Sequence, residues 1–244
     1  TKGVDVICAS VLNRDAIDGV LKKAMAKGIK VLTWDADANA EARQFFVNQA
    51  TAEGIGQTLA DELAALCGGS GPYVIISAGT TDANQNEWIV HIKARMAEKH
   101  PGMKLLEIRY SEGERDKAMT ETRNMLGKYP DLKGVMAIAA PAVPGAAEAL
   151  KQANRSDVKL TGLSIPSLCR DYVHAGYIDS IVLWNTVDLG YLTVHAAKAA
   201  HEDTLGGRTV LDFGRLKGIA IGDGNIYLGK PFIFRQDNID NFDF

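Results

Sequence analysis

Residues 30–37 read KVLTWDAD. Val31, Leu32 and Trp34 form a short apolar run, entered from a helix-like segment that stops at Gly28 and left through Asp35 and Asp37. A strand buried in a parallel sheet reads as a near-continuous apolar run. A carboxylate at its carboxyl end lies at the mouth of the sheet, where open α/β folds bind ligands. Asp35 is therefore expected to face a ligand cleft, and later strand ends to face the same cleft.

On either side of this stretch, strand-like and helix-like segments alternate. Val4 to Ala9 reads as a strand. Asn13 can cap a helix from Arg14 to Lys27, with Ile17, Val20, Leu21 and Met25 on its apolar face. After the polar turn from Asp35 to Arg43 comes a short extended piece, Phe45 to Asn48. Further strands are expected at Tyr73–Ala78, Leu105–Tyr110, Val135–Ile138, Leu160–Leu163 and Ile181–Leu183. Helices are expected at 51–66, 83–100, 114–128, 143–153, 167–175 and 186–200. This alternation argues for an α/β protein with parallel sheets covered by helices. Beyond residue 206 the chain becomes Gly-rich, and Phe232 to Phe244 reads as a polar and aromatic tail.

The chain has 244 residues, 46% hydrophobic and 23% charged, with a formal net charge of −3. That balance gives no electrostatic footprint for nucleic acid or an anionic membrane. No apolar run approaches the ~20 residues of a membrane span. Cys8, Cys67 and Cys169 are far apart and odd in number, which argues against a disulfide framework or a structural zinc site. They are expected to be buried free thiols. The chain opens on Thr1, and Lys2-Gly3 runs directly into a strand-like segment, so material is expected to be missing at the amino end.

The residues just past each strand carry the chemistry. Asp35 comes directly after the apolar run of KVLTWDAD. Asn84 and Gln85 open the helix after Tyr73–Ala78, where Asp82 can cap. Ala139 and Ala140 come after Val135–Ile138, Ser164 after Leu160–Leu163, and Trp184 and Asn185 after Ile181–Leu183. Neutral amides, a hydroxyl, a carboxylate and an indole suit a polyhydroxylated small molecule. Each has a plainer reading: Trp184 and Trp88 as core, Ser164 as a turn residue before Pro166, Asn84 and Gln85 as solvent-facing first-turn residues. Enzyme and cofactor motifs fail. Gly54-Ile55-Gly56 lies within a predicted helix and lacks the third glycine of a dinucleotide fingerprint. Gly162 to Pro166 departs from a nucleophile elbow at its last position. There is no P-loop, and the five histidines are not spaced for a metal face. No cofactor, metal or catalysis is expected.

VLTWDADA, FVNQAT, TDANQNEW, AVPGAAEAL, LWNTVDLGY and the closing FRQDNIDNFDF together resemble the periplasmic sugar-binding proteins of ABC importers, over essentially the whole chain. The branch it is most similar to is that of rhamnose- and autoinducer-2-binding proteins. The resemblance implies a two-lobed type I binding-protein fold with a ligand cleft between lobes. It implies a monomer in the periplasm, a small sugar as ligand and a membrane permease as partner. Asp35 matches the family's cleft aspartate. Asn84 stands where ribose binders carry arginine and autoinducer-2 binders aspartate, and Gln85 matches the adjoining glutamine. Ala139 and Ala140 fall near backbone contacts, Ser164 where ribose binders have aspartate, and Trp184 where they have glutamine. These departures speak against ribose and leave a deoxyhexose such as rhamnose first. By similarity, residues 1–48 with 186–222 form an incomplete amino-terminal lobe, and 49–185 with 223–244 the second, with crossings near Asn48, Trp184–Asn185 and Gly222. The alternatives are an autoinducer-2-type binder, the effector domain of a lactose-repressor-type regulator, or a hydrolase using Ser164.

Overall fold

The computed structural model describes residues 3–244, so Thr1 and Lys2, on which the reading of the amino end partly rests, lie outside the described residues. In chain order the elements begin β1 (Val6–Ala9), α1 (Arg14–Met25), β2 (Lys30–Trp34) and β3 (Phe45–Asn48). Next come α2 (Ala52–Leu66), β4 (Gly71–Ser77), α3 (Ala83–Lys99), β5 (Met103–Tyr110) and α4 (Arg115–Lys128). After these lie β6 (Gly134–Ala137), α5 (Ala142–Gln152), β7 (Lys159–Gly162), α6 (Pro166–His174), β8 (Ile181–Leu183) and α7 (Thr186–His201). Four short strands end the series: β9 (Val210–Phe213), β10 (Leu216–Gly222), β11 (Asn225–Tyr227) and β12 (Phe232–Phe234).

The chain divides into two units. The first comprises Thr1–Thr51 and Trp184–Lys230, the second Ala52–Leu183 and Pro231–Phe244. The sequence reading assigns residues 223–230 to the second lobe. The ladder places β11 instead beside β3 in the first unit, in parallel register Ile226↔Val47. Backbone pairing explains the difference: so short a strand gives little sequence signal, yet its ladder bonds fix its place.

The first unit carries a six-stranded sheet in the order β1-β2-β3-β11-β10-β9. β1, β2, β3 and β11 are parallel, and β10 with its two neighbours forms an antiparallel meander. Val31, Leu32, Val47 and Ile226 are fully buried. β1 ends the order and is only partly covered. Cys8, expected to be buried, is consequently exposed, whereas Cys67 is half-buried and Cys169 buried. Val20, expected on the apolar face of α1, is 65% exposed, and Leu21 is the residue of that helix that is enclosed.

The second unit holds a four-stranded parallel sheet, β5-β4-β6-β7, and an antiparallel pair, β12-β8. Tyr73 to Ile76 and Val135 to Ile138 are buried almost completely. β6 and β7 approach so closely that a Cβ on Gly162 would meet the Ala137 carbonyl oxygen at 1.8 Å. Gly56, singled out as a weak nucleotide signal, serves packing: a Cβ there would meet the Trp88 carbonyl oxygen on α3 at 2.8 Å. The aromatic tail is a built element. β12 pairs with β8, Phe234 stacks edge-on against Phe242 at 4.8 Å, and Arg235 donates to buried Glu62 on α2 at 2.6–2.7 Å.

Candidate functional site

In the first unit, Asp35 occupies the apex of a very tight turn. The Ala36 N–H donates to the Trp34 carbonyl at 2.7 Å, and Asp35 has φ of 63°. A three-residue turn with positive φ at a non-glycine is uncommon and strained. Two ladder-like bonds hold it in place, Asp35 N–H to the Val47 carbonyl at 3.2 Å and Val11 N–H to the Ala36 carbonyl at 2.9 Å. Beside the turn lies a buried ion pair. Arg43 donates through Nε and Nη2 to both oxygens of Asp37, at 3.1 and 2.7 Å, and through Nη1 to the Gly224 carbonyl at 2.7 Å. The Thr33 hydroxyl, on a fully buried residue, also donates to Asp37. The two carboxylates of KVLTWDAD thus divide their work: Asp37 is spent on structure, and Asp35 stands at the strained apex. Bidentate Arg–carboxylate geometry makes this a rigid support.

Trp184 and Asn185 share that end of the sheet. Lys30, which starts β2, pairs with Asp203, just past α7, at 2.5 Å. The carboxyl end of α7 therefore lies at the amino ends of the strands. Its 16 residues, roughly 24 Å of helix, carry its amino end toward the strands' carboxyl ends. Asn185 caps α7, its Oδ1 accepting from the Asp188 N–H at 2.9 Å. Trp184 is 6% exposed, and its indole N–H meets no acceptor among the described residues. A small cleft of about 170 Å³, lined by Lys30, Gln44, Phe45 and Asp203, lies at the opposite, amino ends of β2 and β3, and takes no part in this cluster.

In the second unit, Gln85, Ala139, Ala140 and Ser164 gather at the carboxyl ends of β4, β6 and β7. Asp82 caps α3, accepting from the Gln85 N–H at 3.1 Å. The Gln85 amide oxygen accepts from the Ser77 hydroxyl and from the Ala78 N–H, each at 2.7 Å. It therefore fastens α3 to β4. Asn84, half-buried in the first turn of the same helix, lies beside it. The Ser164 hydroxyl, on a residue with no exposed surface, donates to the Ala140 carbonyl at 2.7 Å. Its proton goes to a carbonyl rather than to a base, which removes the activation a serine nucleophile requires. Nearby, burial pushes the Cys169 thiol up to about 12, with Ser164 acting in the opposite direction. A thiol so placed stays protonated and inert.

No group of His, Cys, Asp and Glu able to hold a metal occurs among the described residues, and no helix there is long and apolar enough to cross a membrane.

Residues 1–204 match the family described as the periplasmic binding protein domain. The chain belongs to that family. A solute-binding protein of an ABC transporter from Clostridium phytofermentas, solved with bound L-rhamnose, is similar to this binding-protein domain at 33% identity. The match has a TM-score of 0.89 over 98% of this chain and 80% of that one. A sugar ABC transporter protein from Actinomyces odontolyticus is similar at 29% identity, with a TM-score of 0.84 over 99% and 80% of the two chains. Among curated proteins, a xylitol-binding protein of Mycolicibacterium smegmatis is 28% identical over 171 residues, 66% of this chain. The matched stretch spans only 46% of that relative's length.

One polar residue of the binding-protein domain is missing from the candidates read off the sequence. Gln49, just past β3, is 3% exposed, and its amide oxygen meets no donor among the described residues. The signal that could have found it is the glutamine in FVNQAT, directly after the strand ends at Asn48.

Proposed function

We propose that this chain is the sugar-capturing part of a solute-binding protein serving an ABC importer in the periplasm, with a small neutral sugar, rhamnose first, as its ligand. One observation carries the reading: the 33% identical relative matched over 98% of this chain holds L-rhamnose. The chemistry of the strand ends agrees with it. Asp35 offers a carboxylate acceptor, Asn84 an amide that donates and accepts, and Trp184 an indole face and N–H. In the second unit Ala139 and Ala140 supply backbone groups, with Ser164 holding the Ala140 carbonyl and Gln85 the Ala78 N–H, and in the first unit Asn185 supplies backbone next to Trp184. The chain passes between its two units three times, at 51–52, 183–184 and 230–231. Short crossings of this kind absorb hinge rotation, so a ligand that favours the closed state drives closure. The closed form then delivers the sugar to a membrane permease.

Calorimetric titration of the purified protein with L-rhamnose tests the reading. Micromolar binding, about −8.2 kcal/mol, is the expected result. Absence of heat with L-rhamnose, xylitol and autoinducer-2 alike would remove it. Asp35→Ala should abolish the heat. The backbone hydrogen bonds that hold the turn remain, but alanine is disfavoured at a φ of 63°, so a modest loss of stability accompanies it and circular dichroism checks that the variant is folded.

A further inference from the structure

Asp18 Oδ1, on a partly exposed residue of the first unit, meets no partner among the described residues. Two such atoms of that unit belong instead to deeply buried side chains, and they are chemical complements. The Gln49 amide oxygen is an acceptor without a donor, and the Trp184 indole nitrogen is a donor without an acceptor. Both side chains are more than nine-tenths buried, at 3% and 6% exposure. Buried polar groups in folded proteins are nearly always paired, so each exception calls for a partner not supplied by the chain. Both sit at the same end of the sheet. The register Trp34↔Val47 sets Asp35 beside Asn48, and Gln49 is the next residue. The direction of α7 brings Trp184 to that end.

We infer that Gln49 is a specificity-determining residue for the ligand, accepting a hydrogen bond from a hydroxyl at the Asp35 end of the first unit's sheet, with Trp184 donating to a ligand oxygen there. Among neutral groups a hydroxyl both donates and accepts, so a polyol or sugar answers both atoms. A carboxylate would satisfy Trp184 but repel the Gln49 oxygen and Asp35. The selected class is therefore uncharged and hydroxylated at this end. The inference rests on the proposed function, and its test separates the two.

Calorimetry with L-rhamnose and xylitol is run on the unaltered protein, on Gln49→Met and on Trp184→Phe, with melting temperatures of the sugar-free proteins alongside. Gln49→Met should weaken the better-bound of the two at least tenfold while leaving the sugar-free melting temperature unchanged or higher, because it removes an unmet polar atom. Trp184→Phe should weaken it at least threefold. Among monodeoxy analogues of L-rhamnose, one should bind the unaltered protein and Gln49→Met equally, identifying the hydroxyl concerned. Undiminished affinity in Gln49→Met overturns the inference and leaves the proposed function standing. A clear fall in sugar-free melting temperature, or failure of that variant to fold, shows that the oxygen has a partner within the protein and overturns it too. An unaltered protein that binds neither of these, nor autoinducer-2, removes the proposed function, and the ligand of Gln49 with it.

Discussion

Two glutamines mark the difference between the two sheet ends. Gln85, in the second unit, has an amide oxygen that accepts two hydrogen bonds at 2.7 Å. Gln49, in the first, has one that accepts none among the described residues. Both are buried. Around Gln85 the other polar groups are also spent internally: the Ser111 hydroxyl donates to the Ser77 carbonyl at 3.1 Å, and Ser164 to Ala140. The buried polar side chains at the second unit's strand ends are thus a finished scaffold, which presents backbone and, in the proposed function, the half-buried Asn84 amide. The first unit combines one satisfied support, Asp37–Arg43, with atoms left open near it. A binding surface needs both conditions, rigid supports and unmet groups, and here they are distributed unequally.

The largest effect should come from the support itself. Arg43→Met leaves the Asp37 carboxylate buried with only Thr33 to answer it, and frees the Gly224 carbonyl. Losing one partner of a buried pair costs about 3–5 kcal/mol. Chemical denaturation should show that loss, and sugar affinity should fall with it as the Asp35 turn loosens. If Arg43→Met unfolds like the unaltered protein, the first unit has no rigid support and the contrast collapses.

The paired glutamine variants come next. Gln85→Met strands the Ser77 hydroxyl and the Ala78 N–H, and an unmet buried donor costs about 1–3 kcal/mol. Gln49→Met strands nothing. Gln85→Met should therefore unfold about 2 kcal/mol more easily, with Gln49→Met within about 0.5 kcal/mol of the unaltered protein. Equal losses in the two variants would erase the distinction between a finished and an open sheet end.

The alternation of strands and helices was legible because each central strand carries a short apolar run and the long helices carry apolar stripes. That the candidate residues fall just past strand ends was legible too, since the end of each apolar run marks where its strand stops. Two kinds of feature were not. Pairing partners of short strands were invisible: β9 and β10 lie among glycines, and a register shift between Leu216 and Ile219 breaks their alternation. The exposure of Cys8 stems from β1 standing at the end of the sheet order, which no local pattern encodes. The second kind was the state of hydrogen bonds. Asp35 and Asp37 look alike in KVLTWDAD, and only the structure shows that Arg43, beyond the turn, grips the second of them. Gln49 and Gln85 differ only in what surrounds their oxygens.

Ser164→Ala sharpens the comparison further. It removes one buried donor and leaves the Ala140 carbonyl with its remaining options, a change of about 1 kcal/mol. Sugar binding should weaken only slightly, because Ser164 acts through the backbone it holds. Loss of binding as complete as that of Asp35→Ala would show that the second unit's strand ends are as open as the first's.

The smallest effect lies on the pH axis, away from both strand ends. Arg95 above all, and then His100, hold the Asp61 carboxyl below its ordinary value against the opposing effect of burial. Arg95 donates to both oxygens at 2.8 Å, and His100 Nε2 lies 2.7 Å away. A carboxyl lowered in the folded state stabilises the protein above its unfolded pKa, near ~4. That stabilisation fades as pH falls through the lower folded value. Because the Asp61 side chain is 42% exposed, the whole contribution should stay below about 1 kcal/mol. Arg95→Met should therefore melt slightly below the unaltered protein at pH ~6, and the gap should close as the pH drops below ~4. A gap that persists unchanged into acid would assign the loss to the packing of the Arg95 side chain rather than to its charge.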